Sequence, residues 1–133
     1  MIAIVISRFN KKVTNGLLNG CLKALGDSSE YEVIYVPGVF EIPAQAKQCT
    51  TDCKYNAVIT LGCVIKGETD HYDYISSAVA NGIMNVTLKS DIPVVFGILT
   101  CQSRDLALER SKGNKRNKGY EAGLAALSMI EKL

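Results

Sequence analysis

A chain of 133 residues is the length of one domain and long enough to bury a real core. Its hydrophobic content of 47% and charged fraction of 21% place it among folded proteins, slightly poorer in charge than the roughly 25% usual for soluble domains. A net charge of +2, from 15 Lys+Arg against 13 Asp+Glu, speaks against a dedicated nucleic-acid binder, and no apolar run approaches the length of a membrane span.

Ile2–Ile6 is the first of four short Val- and Ile-rich runs and reads as a strand. It has no basic leader of the signal-peptide kind, so the expected location is the cytoplasm. Val13, Leu17, Leu18, Cys21, Leu22 and Leu25 then make one apolar stripe of a helix that ends at Gly26-Asp27-Ser28-Ser29. Glu32–Val36 is the second strand, and a helix from Ile42 to Cys53 follows, with Pro43 suited to its first turn. Ala57–Leu61 is the third strand, and Ile75, Val79, Ile83 and Val86 mark the third helix. After the fourth strand, Val94–Leu99, come a short helix around Leu106–Arg110, a basic loop and a last helix from Tyr120 to Lys132.

The strand runs are nearly continuous rather than alternating, as in strands covered on both faces. Their alternation with helices predicts one α/β domain over residues 1–133, a three-layer α/β/α sandwich on a four-stranded parallel sheet. Ligands of such sheets bind beyond the carboxyl ends of the strands. Three motifs fall there: Ser7-Arg8-Phe9-Asn10, Val36-Pro37-Gly38-Val39-Phe40-Glu41, and the stretch from Leu61 to Tyr74 that carries His71.

Phe9 and Phe40 are rings in predicted loops, fit either to stack on a flat heterocycle or to close the end of the core. Glu41 opens the second helix, where it either satisfies free backbone N–H groups or holds donors of a polar ligand. Gly67-Glu68-Thr69 precedes the third helix, and a helix start there would suit a phosphate. His71 is the only histidine in the chain, and its ordinary titration range suits it to carry protons. The run from Arg110 to Gly119 holds five cations; it is either a solvated loop or an anion site, and Arg110 has the forked guanidinium that suits phosphate. The five cysteines, Cys21, Cys49, Cys53, Cys63 and Cys101, lack the partners of a metal set and read as reduced core thiols rather than nucleophiles.

Taken in order, these blocks resemble 6,7-dimethyl-8-ribityllumazine synthases. The resemblance extends through Pro93-Val94-Val95-Phe96-Gly97-Ile98-Leu99-Thr100, Glu109-Arg110 and Asn117-Lys118-Gly119-Tyr120-Glu121-Ala122, and so covers the chain from first strand to last helix. It implies a flavodoxin-like fold and a cofactor-free, metal-free condensation of 5-amino-6-(D-ribitylamino)uracil with 3,4-dihydroxy-2-butanone 4-phosphate. On the matching positions, Phe9 would stack on the pyrimidine. Val39, Phe40, Glu41, Cys63, Val64 and Ile65 would hold the uracil and ribityl chain. Glu68, Thr69 and Arg110 would meet the phosphate with added charge from Lys118, and His71 would shuttle protons. Phe96 would complete the pocket from a neighbouring subunit, because it falls near the start of its strand. The resemblance further implies a homopentamer, in some members assembled into an icosahedral shell of sixty subunits, and no nucleic-acid or membrane partner.

Four positions depart from the usual pattern of the family: Lys66 where Arg is common, Ser111-Lys112 in place of a small pair, and Arg116 in place of Gly. The chain starts directly at its first strand, where members usually carry a segment that pairs with a neighbour, so a pentamer is expected and the shell left open. The competing readings are a non-catalytic flavin- or lumazine-binding protein and a shell component without catalysis. Ser7-Arg8-Phe9-Asn10-Lys11 is too poor in hydroxyls for the phosphate loop of a flavodoxin-type module.

Overall fold

The computed structural model describes residues 1–67, 71–113 and 116–132. Four parallel strands, β1 (Ile2–Ser7), β2 (Tyr31–Val36), β3 (Ala57–Ile65) and β4 (Val94–Cys101), form one sheet in the order β2-β1-β3-β4. The helices are α1 (Lys11–Leu25), α2 (Ile42–Thr50), α3 (Tyr72–Lys89), α4 (Arg104–Glu109) and α5 (Lys118–Lys132), with a 3-10 turn at Val39–Glu41 ahead of α2. The chain steps from β1 outward to β2, then crosses back to lay β3 on the other side of β1. Consecutive loops therefore part above β1 and β3, which is where open α/β sheets leave a crevice.

The pleat sends alternate residues to opposite layers. Ile2, Ile4, Ile6, Ile59, Leu61 and Cys63 pack with Val13, Leu17 and Cys21 of α1, Ala107 of α4 and Ala122 and Ala126 of α5. Ala3, Val5, Val58, Val64 and Ile98 pack on the other face with Ile42, Ala46 and Cys49 of α2 and Val79 and Ile83 of α3. The expected three-layer sandwich is thus the observed one.

Every residue of β1 and β3 is buried, whereas β2 and β4 are not covered throughout. The difference is positional: β2 and β4 are the edges, with a neighbouring strand on one side only, and Tyr31, Tyr35 and Phe96 stand exposed there. β3 continues four residues past the expected Leu61, because Gly62 extends the strand instead of turning it. A Cβ at Gly62 would come within 2.7 Å of Val39 Cγ1, so this glycine admits the 3-10 turn against the sheet. The turn itself falls at Gly67, whose φ of 93° favours glycine. α2 ends at Thr50 rather than Cys53, and the chain then tightens through bonds from Thr51 N to Gln48 O and from Tyr55 N to Asp52 O.

Tyr55, buried ahead of β3, donates its hydroxyl to the Glu32 carboxylate on edge strand β2, and Lys54 Nζ lies 3.5 Å from the same oxygen. The phenol bond, helped by the ammonium, holds Glu32 below its ordinary 4.5, and donating that bond raises Tyr55 above its ordinary 10.0. A lowered carboxylate stabilises above its unfolded value and loses that contribution as pH falls through the folded one; a raised phenol loses its share as pH rises through the folded value. Tyr55→Phe is therefore expected to lower the thermal midpoint most between about pH 4.5 and 10, with the gap narrowing in acid. Melts of both proteins across that range check it, and a gap that stays constant into acid would assign the effect to packing instead.

Candidate active site at the carboxyl ends of the strands

β1 is stopped by Asn10, whose φ of 62° is a left-handed conformation that Asn tolerates better than most residues. Its carbonyl accepts from Val13 N and Thr14 N to start α1, and its side-chain Nδ2 donates to Cys63 O at 3.3 Å. One residue thus ends the strand, opens the helix and ties the β1 loop to β3. Phe9, just before it, is held outward with 58% of its surface exposed. On the other side of the loop Arg8 N donates to Val36 O at 2.9 Å, and the Arg8 guanidinium lies 5.1 Å from the centre of the Tyr35 ring.

Beyond β2, Glu41 Oε1 accepts from Gly38 N at 2.9 Å across the 3-10 turn. Of the two roles open to Glu41 in the sequence, the structure gives it the capping one. Val39 turns inward over Gly62, and Phe40 projects with 57% exposed.

Between these loops lies a hollow of about 70 Å³ lined by Phe9, Asn10, Val39, Cys63, Val64, Ile65 and Ile75. The fold therefore gathers five of the expected site residues: Phe9, Val39, Cys63, Val64 and Ile65. Phe40 and Glu41 sit on the adjoining turn without walling the hollow. Asn10 and Ile75 are additions. Asn10 had a signal in its position directly after a strand, and Ile75 belonged to an apolar stripe that reads equally well as core. His71 is exposed at the N-cap of α3, and its carbonyl accepts from Ile75 N at 2.8 Å, one turn from the hollow's wall. Glu68 and Thr69 lie outside the described residues.

The cations gather elsewhere. Arg110 caps the C-terminus of α4; its Nε donates to Arg116 O at 3.2 Å and its Nη2 lies 4.0 Å from Glu121 Oε2. Lys118 Nζ is 3.9 Å from the same carboxylate oxygen. Glu121, quoted in the sequence only as part of a motif, is thus the anion that both cations face. Burial pushes the Cys101 thiol upward, and the Arg110 charge partly opposes it. Phe96, the third residue of β4, shares its sheet face with Val94 and Ile98 at the open edge. Neither it nor Arg110 nor Lys118 lines the hollow.

The thiols of Cys21, Cys49 and Cys101 are raised by burial, that of Cys21 to about 12, so they are not poised as nucleophiles. Among the described residues no three His, Cys, Asp or Glu side chains cluster as metal ligands, and no helix is long and apolar enough to cross a membrane. The chain presents a small apolar hollow walled by an aromatic ring and strand ends, two cations that face Glu121, and one histidine. The chain matches the family model of 6,7-dimethyl-8-ribityllumazine synthase over residues 1–133. With the match spanning the whole chain and a parallel sheet sandwiched between helices consistent with that fold, the chain belongs to the 6,7-dimethyl-8-ribityllumazine synthase family and is a transferase of riboflavin biosynthesis.

Proposed function

We propose that the hollow of one subunit receives the ribitylaminouracil, that the Arg110–Lys118 pair holds the phosphate of 3,4-dihydroxy-2-butanone 4-phosphate, and that the two halves of a complete site come from adjacent subunits of a homopentamer. The observation that carries this reading is the separation of the two halves. A hollow of about 70 Å³ falls well short of the roughly 300–1,000 Å³ of ligand pockets. The residues expected to complete it stand outside its lining, Phe96 on edge strand β4 and Arg110 and Lys118 at the two ends of the α4–α5 connection.

In this reading Phe9 stacks on the pyrimidine while Val39, Phe40 and Glu41 border the ring, and backbone groups of Cys63, Val64 and Ile65 bind its edge and ribityl chain. The 5-amino group adds to the ketone carbonyl and water leaves to give the imine. Phosphate then departs with a proton lost from the four-carbon unit. The enol so formed tautomerises to a ketone, the ribitylamino nitrogen attacks that new carbonyl, and loss of a second water closes the ring. His71 moves protons in these steps, and Glu68 and Thr69 border the phosphate. Arg110 orients the phosphate, and with Lys118 it carries the charge that grows as phosphate leaves. The chain acts as a single domain in the cytoplasm.

Subunit mixing tests the arrangement. Phe9→Ala subunits and Arg110→Ala subunits, each nearly inactive alone, are refolded together and assayed by the fluorescence of the lumazine product. A shared site restores activity, because about a quarter of interfaces in a random one-to-one mixture pair two intact halves. No recovery above the separate variants means that each site is built within one subunit.

A further inference from the structure

We infer that Asn117 is a positioning residue that sets Arg110 and Lys118 in place for the phosphate, an inference that rests on the phosphate reading above. Asn117 is 1% exposed, an unusual depth for an amide in a loop so dense in cations. Its Nδ2 donates to Gly16 O at 3.1 Å and to Lys112 O at 2.7 Å, and its Oδ1 accepts from Tyr120 N at 3.0 Å. Both amide hydrogens and the carbonyl are thereby used, so the side chain has one orientation.

The seat is cut into α1 by two glycines. A Cβ at Gly20 would fall 2.3 Å from Asn117 Oδ1, and one at Gly16 would fall 2.2 Å from Ser111 O. Four residues apart on a helix, they share a face, and that face is the groove into which the α4–α5 connection settles. The two chain neighbours of Asn117 grip Arg110 directly. Arg116 O accepts from Arg110 Nε at 3.2 Å, and Lys118 N donates to Arg110 O at 2.8 Å. The position of α1 thus passes through one buried amide to both cations, across a loop that like-charge repulsion would otherwise spread.

A simple helix-capping role predicts something different, and Asn117→Ser separates the two. Serine is a good cap for Tyr120 N but is too short to donate to both Gly16 and Lys112 carbonyls. The KM for the butanone phosphate and the inhibition constant of inorganic phosphate are expected to rise about tenfold, roughly 1.4 kcal/mol of lost orientation, with the KM for the pyrimidine little changed. In an Arg110→Ala background the same substitution has a smaller effect, because of the two cations only Lys118 is left for it to position. Unchanged constants, or both KM values rising together, overturn the inference. Should Asn117→Ser fail to fold, Asn117→Asp carries the same test, since it keeps the shape and the cap acceptor while losing both donors. Arg110→Ala alone separates the two ideas. If it raises the phosphate-substrate KM and Asn117→Ser does not, only the positioning role falls; if it leaves that KM unchanged, the phosphate reading falls and this inference with it.

Discussion

Arg110→Ala is expected to lower kcat/KM on the order of 10²–10³-fold, the scale seen when one preorganised donor is removed from developing negative charge. Arg110 is held at both ends, its guanidinium Nε donating to Arg116 O and its main-chain carbonyl accepting from Lys118 N, so it loses little orientational entropy when an anion arrives. Its ion pair with Glu121 is long at 4.0 Å, loose enough for phosphate to displace. Arg110→Lys is expected to recover only part of the rate, since an ammonium lacks the planar fork. His71→Ala is expected to cost about tenfold, at or below the low end of general acid–base contributions, because the exposed imidazole stands where water can deliver a proton instead. Steady-state kinetics on the three variants decides the ranking. A larger loss for His71→Ala would mean that proton transfer contributes more to the rate than phosphate orientation does.

Gly119→Ala is the substitution expected to damage the fold most for its size. In an ordinary helix the change would stabilise by up to about 1 kcal/mol. Here the added Cβ would sit 1.9 Å from Leu17 O and 2.6 Å from Leu17 C, backbone atoms of α1 that no rotamer change can move aside. Helices α1 and α5 would have to separate along a contact that Gly123 also narrows, against Ala24 Cβ at 2.7 Å. A loss on the order of 3 kcal/mol follows, at the upper end of overpacking costs. Gly113→Ala is the control, because among the described residues nothing lies within 4 Å of its added Cβ, and it is expected to stay within about 0.5 kcal/mol of the parent. Urea unfolding of both checks the contrast. A Gly119→Ala protein as stable as the Gly113→Ala protein would mean that the two helices slide freely over one another.

The layer architecture was legible from periodicity. Ile2–Ile6 and Ala57–Leu61 are unbroken apolar runs and became β1 and β3, the two strands buried along their whole length. Pro43 and the Ile42 start of α2 were likewise readable, since a proline in the first turn is a local preference. The edge strands were less legible, because a run such as Glu32–Val36 does not reveal whether a neighbour covers its second side. Gly62 lies one residue past the expected end of the third strand and is strand, its small size required by Val39 rather than by its own backbone. α5 begins at Lys118, two residues ahead of the expected Tyr120, with Asn117 accepting from Tyr120 N at its start.

The same division runs through the site. Phe9, Val39 and Cys63 to Ile65 were identifiable from strand-end position and motif, and they meet around one hollow. Asn10 and Asn117 stood in motifs, but their locking roles could not be read there, because each finds its acceptor 53 and 101 positions away, on Cys63 and Gly16. What the sequence determined by itself is what backbone geometry repeats every two or 3.6 residues: strands, helices and the face each one buries. The tertiary structure alone decided which strands became edges, which glycines admit a close neighbour and which amides lock the loops, because those depend on atoms that come within contact only after the sheet has formed and the helices have closed over it.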